Sequence, residues 1–104
     1  MTHEELFTLL KTLKIPVAYD HFDSNKHVTP PFLAYRETSP ETFKADDKTY
    51  FRPYNFEIEV VTEIKDPDLQ SSIEDLFNEN NIPYDLLDEV WDEDERIYHN
   101  FYEI

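Results

Sequence analysis

The chain has 104 residues and a mass of 12.6 kDa, which fits one domain spanning residues 1–104. It has 24 acidic and nine basic residues, so the formal net charge is −15 and the pI is near 4.3. Such a charge excludes nucleic-acid binding that depends on neutralising phosphates, and it disfavours docking on anionic membranes. The chain contains no cysteine and no glycine. Disulfides, thiolate chemistry and glycine-rich phosphate loops are therefore excluded.

The acidic excess is strongly polarised along the chain. Residues 1–56 carry eight acids and seven bases, whereas residues 57–104 carry sixteen acids and two bases, Lys65 and Arg96. Apolar residues make up 39% of the chain and aromatic residues 15%, which is too many for an acidic disordered segment. We therefore expect a folded domain whose second half presents either a plain solvated face or a functional negative surface.

The first half of the chain predicts one helix followed by strands. Thr2 is a suitable N-cap, and leucines at positions 6, 9, 10 and 13 form one apolar face, so we predict a helix over residues 3–14 that stops before Pro16. Residues 16–22 and 32–38 are aromatic or β-branched and predict strands, and the polar segment 23–31 between them predicts a loop.

A long polar connection and a long strand follow. Residues 39–48 exceed the usual length of a hairpin loop, which is typical of functional loops. Residues 50–63 alternate between apolar and polar side chains and predict a strand with one solvated face. Phe43 lies in the polar connection, where it either folds back over the sheet or anchors a partner protein.

The second half predicts a helix and a closing pair of strands. Asp66 and Pro67 are a typical N-cap and first helical residue, and Asn80 or Asn81 can end the helix in place of glycine. Residues 84–91 and 96–104 predict two strands around an acidic tip. The order α-β-β-β-α-β-β, with helices separate from a mainly antiparallel sheet, predicts an α+β two-layer domain.

Catalytic and metal-binding patterns are weak throughout. The four histidines lack the spacing of a zinc site. The acidic tip lacks the central glycine of an EF-hand, which leaves only weak surface binding of a divalent cation open. No nucleophile motif is present, and the many carboxylates do not single out an acid–base pair. We expect no enzyme activity, no metal site and no cofactor.

Five segments together resemble a known family of small proteins. The segments are residues 15–22 (IPVAYDHF), 30–37 (PPFLAYRE), 43–51 (FKADDKTYF), 54–77 (YNFEIEVVTEIKDPDLQSSIEDLF) and 96–104 (RIYHNFYEI). In this order they resemble the tail-completion proteins of long-tailed phages of Gram-positive bacteria, also called tail terminators or tail-to-head joining proteins. Lys14 departs from the pattern, since the resemblance favours glycine before Ile-Pro.

The resemblance implies a structural role in the neck of the virion, after assembly in the host cytoplasm. Such a protein forms a ring, usually a hexamer, that caps the tail tube, stops its growth and receives the head-completion protein of the connector. The long strand-to-strand loop tends to mediate ring or tube contacts in this family. The matching residues here are Phe43, Lys44, Asp46, Asp47 and Lys48.

The acidic half suits this role, because a ring that conducts DNA must not retain it. We predict that part of this half, namely Asp92, Glu93, Asp94 and Glu95, faces the lumen or rim of the ring, where carboxylates repel phosphate. A different class of protein has the same charge: an acidic DNA mimic that inhibits a host restriction or CRISPR nuclease. A nearly neutral first half disfavours the mimic, which usually spreads its acids over the whole chain.

Overall fold

The computed structural model describes residues 2–22, 28–38, 44–45, 48–49 and 55–104. Its elements in chain order are helix α1 (His3–Lys11), strands β1 (Val17–Tyr19), β2 (Phe32–Thr38), β3 (Lys44–Ala45), β4 (Lys48–Thr49) and β5 (Asn55–Thr62), helix α2 (Pro67–Glu79), and strands β6 (Asp85–Asp92) and β7 (Ile97–Glu103).

Five of the strands form one sheet in the order β1-β2-β5-β7-β6. The β1–β2 pair is parallel, and the other three pairs are antiparallel. Strands β3 and β4 form a separate two-stranded ribbon. The predicted α+β class and the order α-β-β-β-α-β-β of the helices and the main sheet are confirmed.

Several predicted boundaries are wrong in detail. Helix α1 ends at Lys11 rather than at residue 14, because the Thr12 hydroxyl and amide both donate to the carbonyl of Leu9 and tighten the last turn. Strand β1 is shorter than predicted, since Asp20 has a φ of 66° and turns the chain. The connection 39–48, predicted as a loop, contains β3 and the first residue of β4.

Both helices pack on one face of the sheet, which we call the helix face. A single cluster of buried side chains joins α1, α2 and the three central strands: Leu6, Leu10, Leu33, Tyr35, Phe56, Ile58, Val60, Ile73, Phe77 and Tyr102. Alternate residues of β5 supply the centre of this core, as the sequence periodicity predicts. Burial of these apolar surfaces is the main contribution to stability.

A carboxylate fixes helix α2 against strand β7. The hydroxyls of Tyr84 and Tyr102 donate to the two carboxylate oxygens of Glu74, over 3.1 and 3.3 Å. The ring of Phe77 contacts both tyrosine rings edge-on or tilted, with centroids 5.4 and 5.9 Å away. The polar ends of these buried rings are therefore satisfied, and α2 has one preferred position on the sheet.

Residues other than glycine occupy the left-handed backbone region. Lys14, Asp20, Asn81 and Arg96 have φ values of 60°, 66°, 55° and 57°. Asn81 follows helix α2, as predicted for a chain that lacks glycine. Lys14 has the backbone conformation that glycine adopts most readily.

Among the described residues, no helix is both long enough and apolar enough to cross a membrane.

We predict that Lys14→Gly stabilises the fold, because a β-carbon in the left-handed region costs roughly 1 kcal/mol that glycine avoids. The expected gain in the free energy of unfolding, measured by urea denaturation, is about 0.5–1 kcal/mol. Lys11→Gly is the matched control, since Lys11 is helical and the same change should destabilise the protein there. Equal effects of the two variants would contradict the prediction.

We also predict that stability falls at high pH. Burial, with smaller contributions from Tyr19 and Glu4, raises the pKa of Tyr35 to about 12, and burial beside Glu74 raises the pKa of Tyr102 above its ordinary value. Unfolded tyrosine titrates near 10, so the unfolded chain releases these protons first. The stabilisation is complete below pH ~10 and is lost as the pH rises toward ~12.

The measurement is the urea midpoint at roughly pH 9 and roughly pH 11. Tyr35→Phe is the control, because it removes the share of the decline that Tyr35 causes. A midpoint that does not change over this range would contradict the assignment.

Candidate interaction surface

The sheet face opposite the helices, which we call the open face, carries a concentration of carboxylates. Residues that are paired across strands share a face, so the strand register places acids of three strands there. Five lie in two adjacent rows, namely Glu57 and Glu59 of β5, Asp85 and Asp88 of β6, and Glu103 of β7, and Asp92 lies on the same face at the end of β6. We call these five residues the acidic face.

Three of these carboxylates lie in one row across adjacent strands. Glu57 is paired with Glu103, and Glu103 is paired with Asp85. The row ends at Arg36 of β2, which is paired with Glu57 and donates from Nη2 to Glu57 Oε1 over 3.1 Å. One guanidinium thus faces three carboxylates, and the row keeps a net negative charge.

The next row is partly apolar. Glu59 is paired with Ala34 on one side and with Phe101 on the other, and Phe101 is paired with Asp88. His99, two residues before Phe101, donates from Nδ1 to Glu59 Oε1 over 2.6 Å. The rings of His99 and Phe101 are nearly parallel, at 9°, with centroids 6.2 Å apart. These contacts hold the Glu59 carboxylate in place on the sheet.

A depression of about 280 Å³ lies between these rows. Its lining combines acids, one cation and aromatic rings: Asp20, Ala34, Tyr35, Arg36, Glu57, Glu59 and Phe101. It is lined by more carboxylates than cations, which favours a positively charged group on a partner.

The predicted acidic tip forms the turn of the β6–β7 hairpin. The Asp92 carboxylate accepts hydrogen bonds from the amides of Asp94 and Glu95, over 3.0 and 3.1 Å. Glu93 accepts a hydrogen bond from the indole nitrogen of Trp91 over 2.7 Å. Two of the four predicted carboxylates therefore have local structural roles, in a turn that Arg96 closes in the left-handed conformation.

Strand β6 exposes apolar side chains that the sequence analysis did not identify as functional. Its exposed apolar residues are Leu86, Leu87, Val90 and Trp91, with exposed fractions of 40%, 51%, 39% and 40%. The register shifts between Leu86 and Asp88, so Leu87 is the extra residue of a bulge. In DLLDEVWD, apolar and acidic residues occur in pairs rather than alternating, which is the signal that could have indicated an exposed edge.

The other predicted contact residues are only partly placed. Lys44 and Lys48 belong to strands β3 and β4 of the ribbon. Phe43, Asp46 and Asp47 lie outside the described residues.

Within the described residues, no three histidine or carboxylate side chains converge in a way that would hold a metal ion. The carboxylates of the acidic face are spread over three strands, and together they make the open face negatively charged.

Comparisons with protein-family models, curated proteins and solved structures found no significant match to this chain.

We predict that the carboxylate row lowers stability. Glu103→Gln removes the central charge of the row, so it should raise the free energy of unfolding by roughly 0.2–1 kcal/mol, and by less at high salt. Urea denaturation at low and high ionic strength is the measurement. Glu37→Gln is the matched control, because Glu37 is a strand residue that is paired with Phe56 rather than with an acid. A loss of stability in Glu103→Gln would show that the row is not repulsive.

Proposed function

We propose that this chain is a non-enzymatic structural protein of a phage neck, which forms a ring on the end of the tail tube. In this role it stops tube growth and joins the tail to the head connector. The observation that carries the proposal is the acidic face. It concentrates carboxylates on the side of the sheet that neither helix covers. The family resemblance of the sequence supports the same role.

The charge matches the demands of a channel for DNA. A ring of six copies would carry a formal charge of about −90, since each chain carries −15. Salt screens such a field beyond roughly 8–10 Å, so only carboxylates close to the channel act on passing DNA. The acidic face would repel phosphate if it lined the lumen, and the tip residues 92–95 would do so at the rim. Passage would then require no specific binding of DNA.

The one-sided core leaves the open face of the sheet available for charge. The core joins both helices to one face, so the opposite face can carry charge without disturbing the main packing. The acids of the row lie opposite one another although like charges in paired positions are unfavourable. A function that requires negative charge on the open face would account for the presence of these acids.

An inhibitor that mimics DNA is the second candidate. Residues 85–95 contain seven carboxylates and no basic residue, which favours a surface that can occupy a cationic groove. Such an inhibitor would stay small in solution and would bind a basic nuclease, whereas a ring protein would assemble on tails.

The decisive experiment deletes the gene from the phage or prophage that encodes it and examines the particles by negative-stain electron microscopy. We expect overlong tails, or capsids and tails that are not joined, and restoration of normal particles by the wild-type gene. Normal particles in the deletion strain would overturn the neck proposal. Binding of the purified protein to a basic nuclease, with loss of cleavage, would support the inhibitor instead.

A further inference from the structure

Strand β6 is an edge of the five-stranded sheet, and within the described residues it pairs with β7 alone. An edge strand presents backbone N–H and C=O groups that can bind another strand. Natural proteins protect such an edge by keeping it short, by covering it, or with charged side chains and bulges, and β6 has the last two in its four acids and the bulge at Leu87. Strand β6 is eight residues long, and seven of those residues are exposed.

The exposed side chains of this edge combine an aromatic anchor with aliphatic neighbours. Trp91 packs against Tyr98 with ring centroids 4.9 Å apart, yet 40% of it remains exposed. Leu87, in the bulge, is 51% exposed. Tryptophan is one of the residue types that contribute most to the binding energy of protein interfaces, and here it has apolar neighbours on the same strand.

Charge excludes the simplest pairing of this edge, which is with itself. A two-fold β6–β6 contact would place Asp85, Asp88, Glu89 and Asp92 of one copy beside the same acids of another. Among the described residues, Lys65 forms an ion pair with one of them, with its Nζ 3.9 Å from Glu89 Oε2. Like charges in paired positions are destabilising, so the partner strand must carry fewer acids.

The opposite edge of the same sheet fits that requirement. Strand β1 is the other edge, and it binds β2 through the carbonyl of Pro16 and the amide of Asp20, over 2.9 and 2.6 Å. Because backbone groups alternate in direction along a strand, the amide and carbonyl of Val17 and the amide of Tyr19 point away from β2. The carbonyl of Tyr19 accepts a hydrogen bond from the amide of His21 over 2.8 Å. Tyr19 is 45% exposed.

The surroundings of β1 also have the complementary charge. Residues 11–22 carry Lys11 and Lys14 against one acid, Asp20, whereas residues 85–95 carry seven acids and no base. The two lysine residues are exposed. Attraction between these edges would both orient the pair and speed its formation.

The strand directions allow the two edges to join. Strand β1 runs parallel to β2, and each later step across β5, β7 and β6 reverses the direction, so β6 runs opposite to β1. If the sheet continues from one copy to the next, β6 therefore meets β1 as an antiparallel pair, which is the more stable arrangement. We propose that copies of this chain associate head to tail by adding the β1 edge of one copy to the β6 edge of the next.

This inference rests on the self-association in the proposed function and names the surfaces that form it. A head-to-tail contact leaves one free edge at each end of the growing chain of copies. A suitable rotation between neighbouring copies closes that chain into a ring. The acidic face would then run continuously around the ring on one side of the shared sheet. The same contact without closure would produce open filaments.

The test uses Trp91 as a reporter, because it is the only tryptophan of the chain and lies on the proposed contact. Sedimentation velocity and tryptophan emission are recorded together over a wide range of protein concentration. We expect the sedimentation coefficient to rise and the emission to shift to shorter wavelength over the same range. High salt should weaken both changes.

Leu87→Lys should weaken the association by about tenfold or more, since it removes a leucine that the contact would bury. Ile64→Lys is the matched control, because Ile64 is 70% exposed and lies outside strand β6, and it should leave the association unchanged. Val17→Pro removes an amide from the β1 edge and should have the same effect as Leu87→Lys. Circular dichroism and urea denaturation establish whether each variant is folded. If Val17→Pro does not fold, Leu87→Lys alone decides the test.

Two outcomes would overturn the edge contact and leave the neck proposal intact. One is association without a change in Trp91 emission, and the other is association that Ile64→Lys weakens as much as Leu87→Lys does. A protein that stays monomeric at all concentrations would also overturn the edge contact, whereas particles from the deletion strain would still decide the neck role. A single closed species would support both proposals. A ladder of growing species that shifts Trp91 emission would support the edge contact and argue against a ring.

Discussion

The packing of both helices on a single face of the sheet is the constraint on which the rest of the structure depends. The core cluster draws on α1, α2 and the three central strands, and every aromatic ring at its centre comes from the helix face. The strand side chains of this cluster are alternate residues of β2 and β5 and Tyr102 of β7, although Ala34 and Val61 of the opposite face are buried as well. Other residues of the strands lie on the opposite face, and the five carboxylates of the acidic face are among them.

This one-sided core explains why so much negative charge is compatible with a folded domain. Charges on a solvated sheet face are separated from the buried cluster, and the Arg36–Glu57 and His99–Glu59 contacts partly compensate two of the acids. Acids elsewhere are used locally, as Glu74 is for two tyrosine hydroxyls and Asp92 for the hairpin turn. Much of the excess that remains lies on β6, on the hairpin turn after it and on the open face.

The absence of glycine affects the turns of the chain. Tight turns that glycine would usually make are formed by Lys14, Asp20, Asn81 and Arg96 in the left-handed conformation. Asparagine and aspartate tolerate this region better than lysine or arginine, because their short polar side chains can bond locally. Two of these turns flank β1 and another closes the β6–β7 hairpin, so the strained residues lie next to both edges of the sheet.

The sequence alone determined the class of fold, the helix that starts at Asp66 and Pro67, and the limits of β2, because caps, prolines and apolar periodicity are local signals. It also located the negative charge in the second half of the chain. Only the tertiary structure decided which acids face one another. Glu57, Asp85 and Glu103 are far apart in sequence, and they form a row because of strand register, which depends on long-range pairing. The exposure of Trp91 and Leu87 was likewise decided by the position of β6 at the sheet edge, since an apolar residue in a strand is buried only where another element covers it.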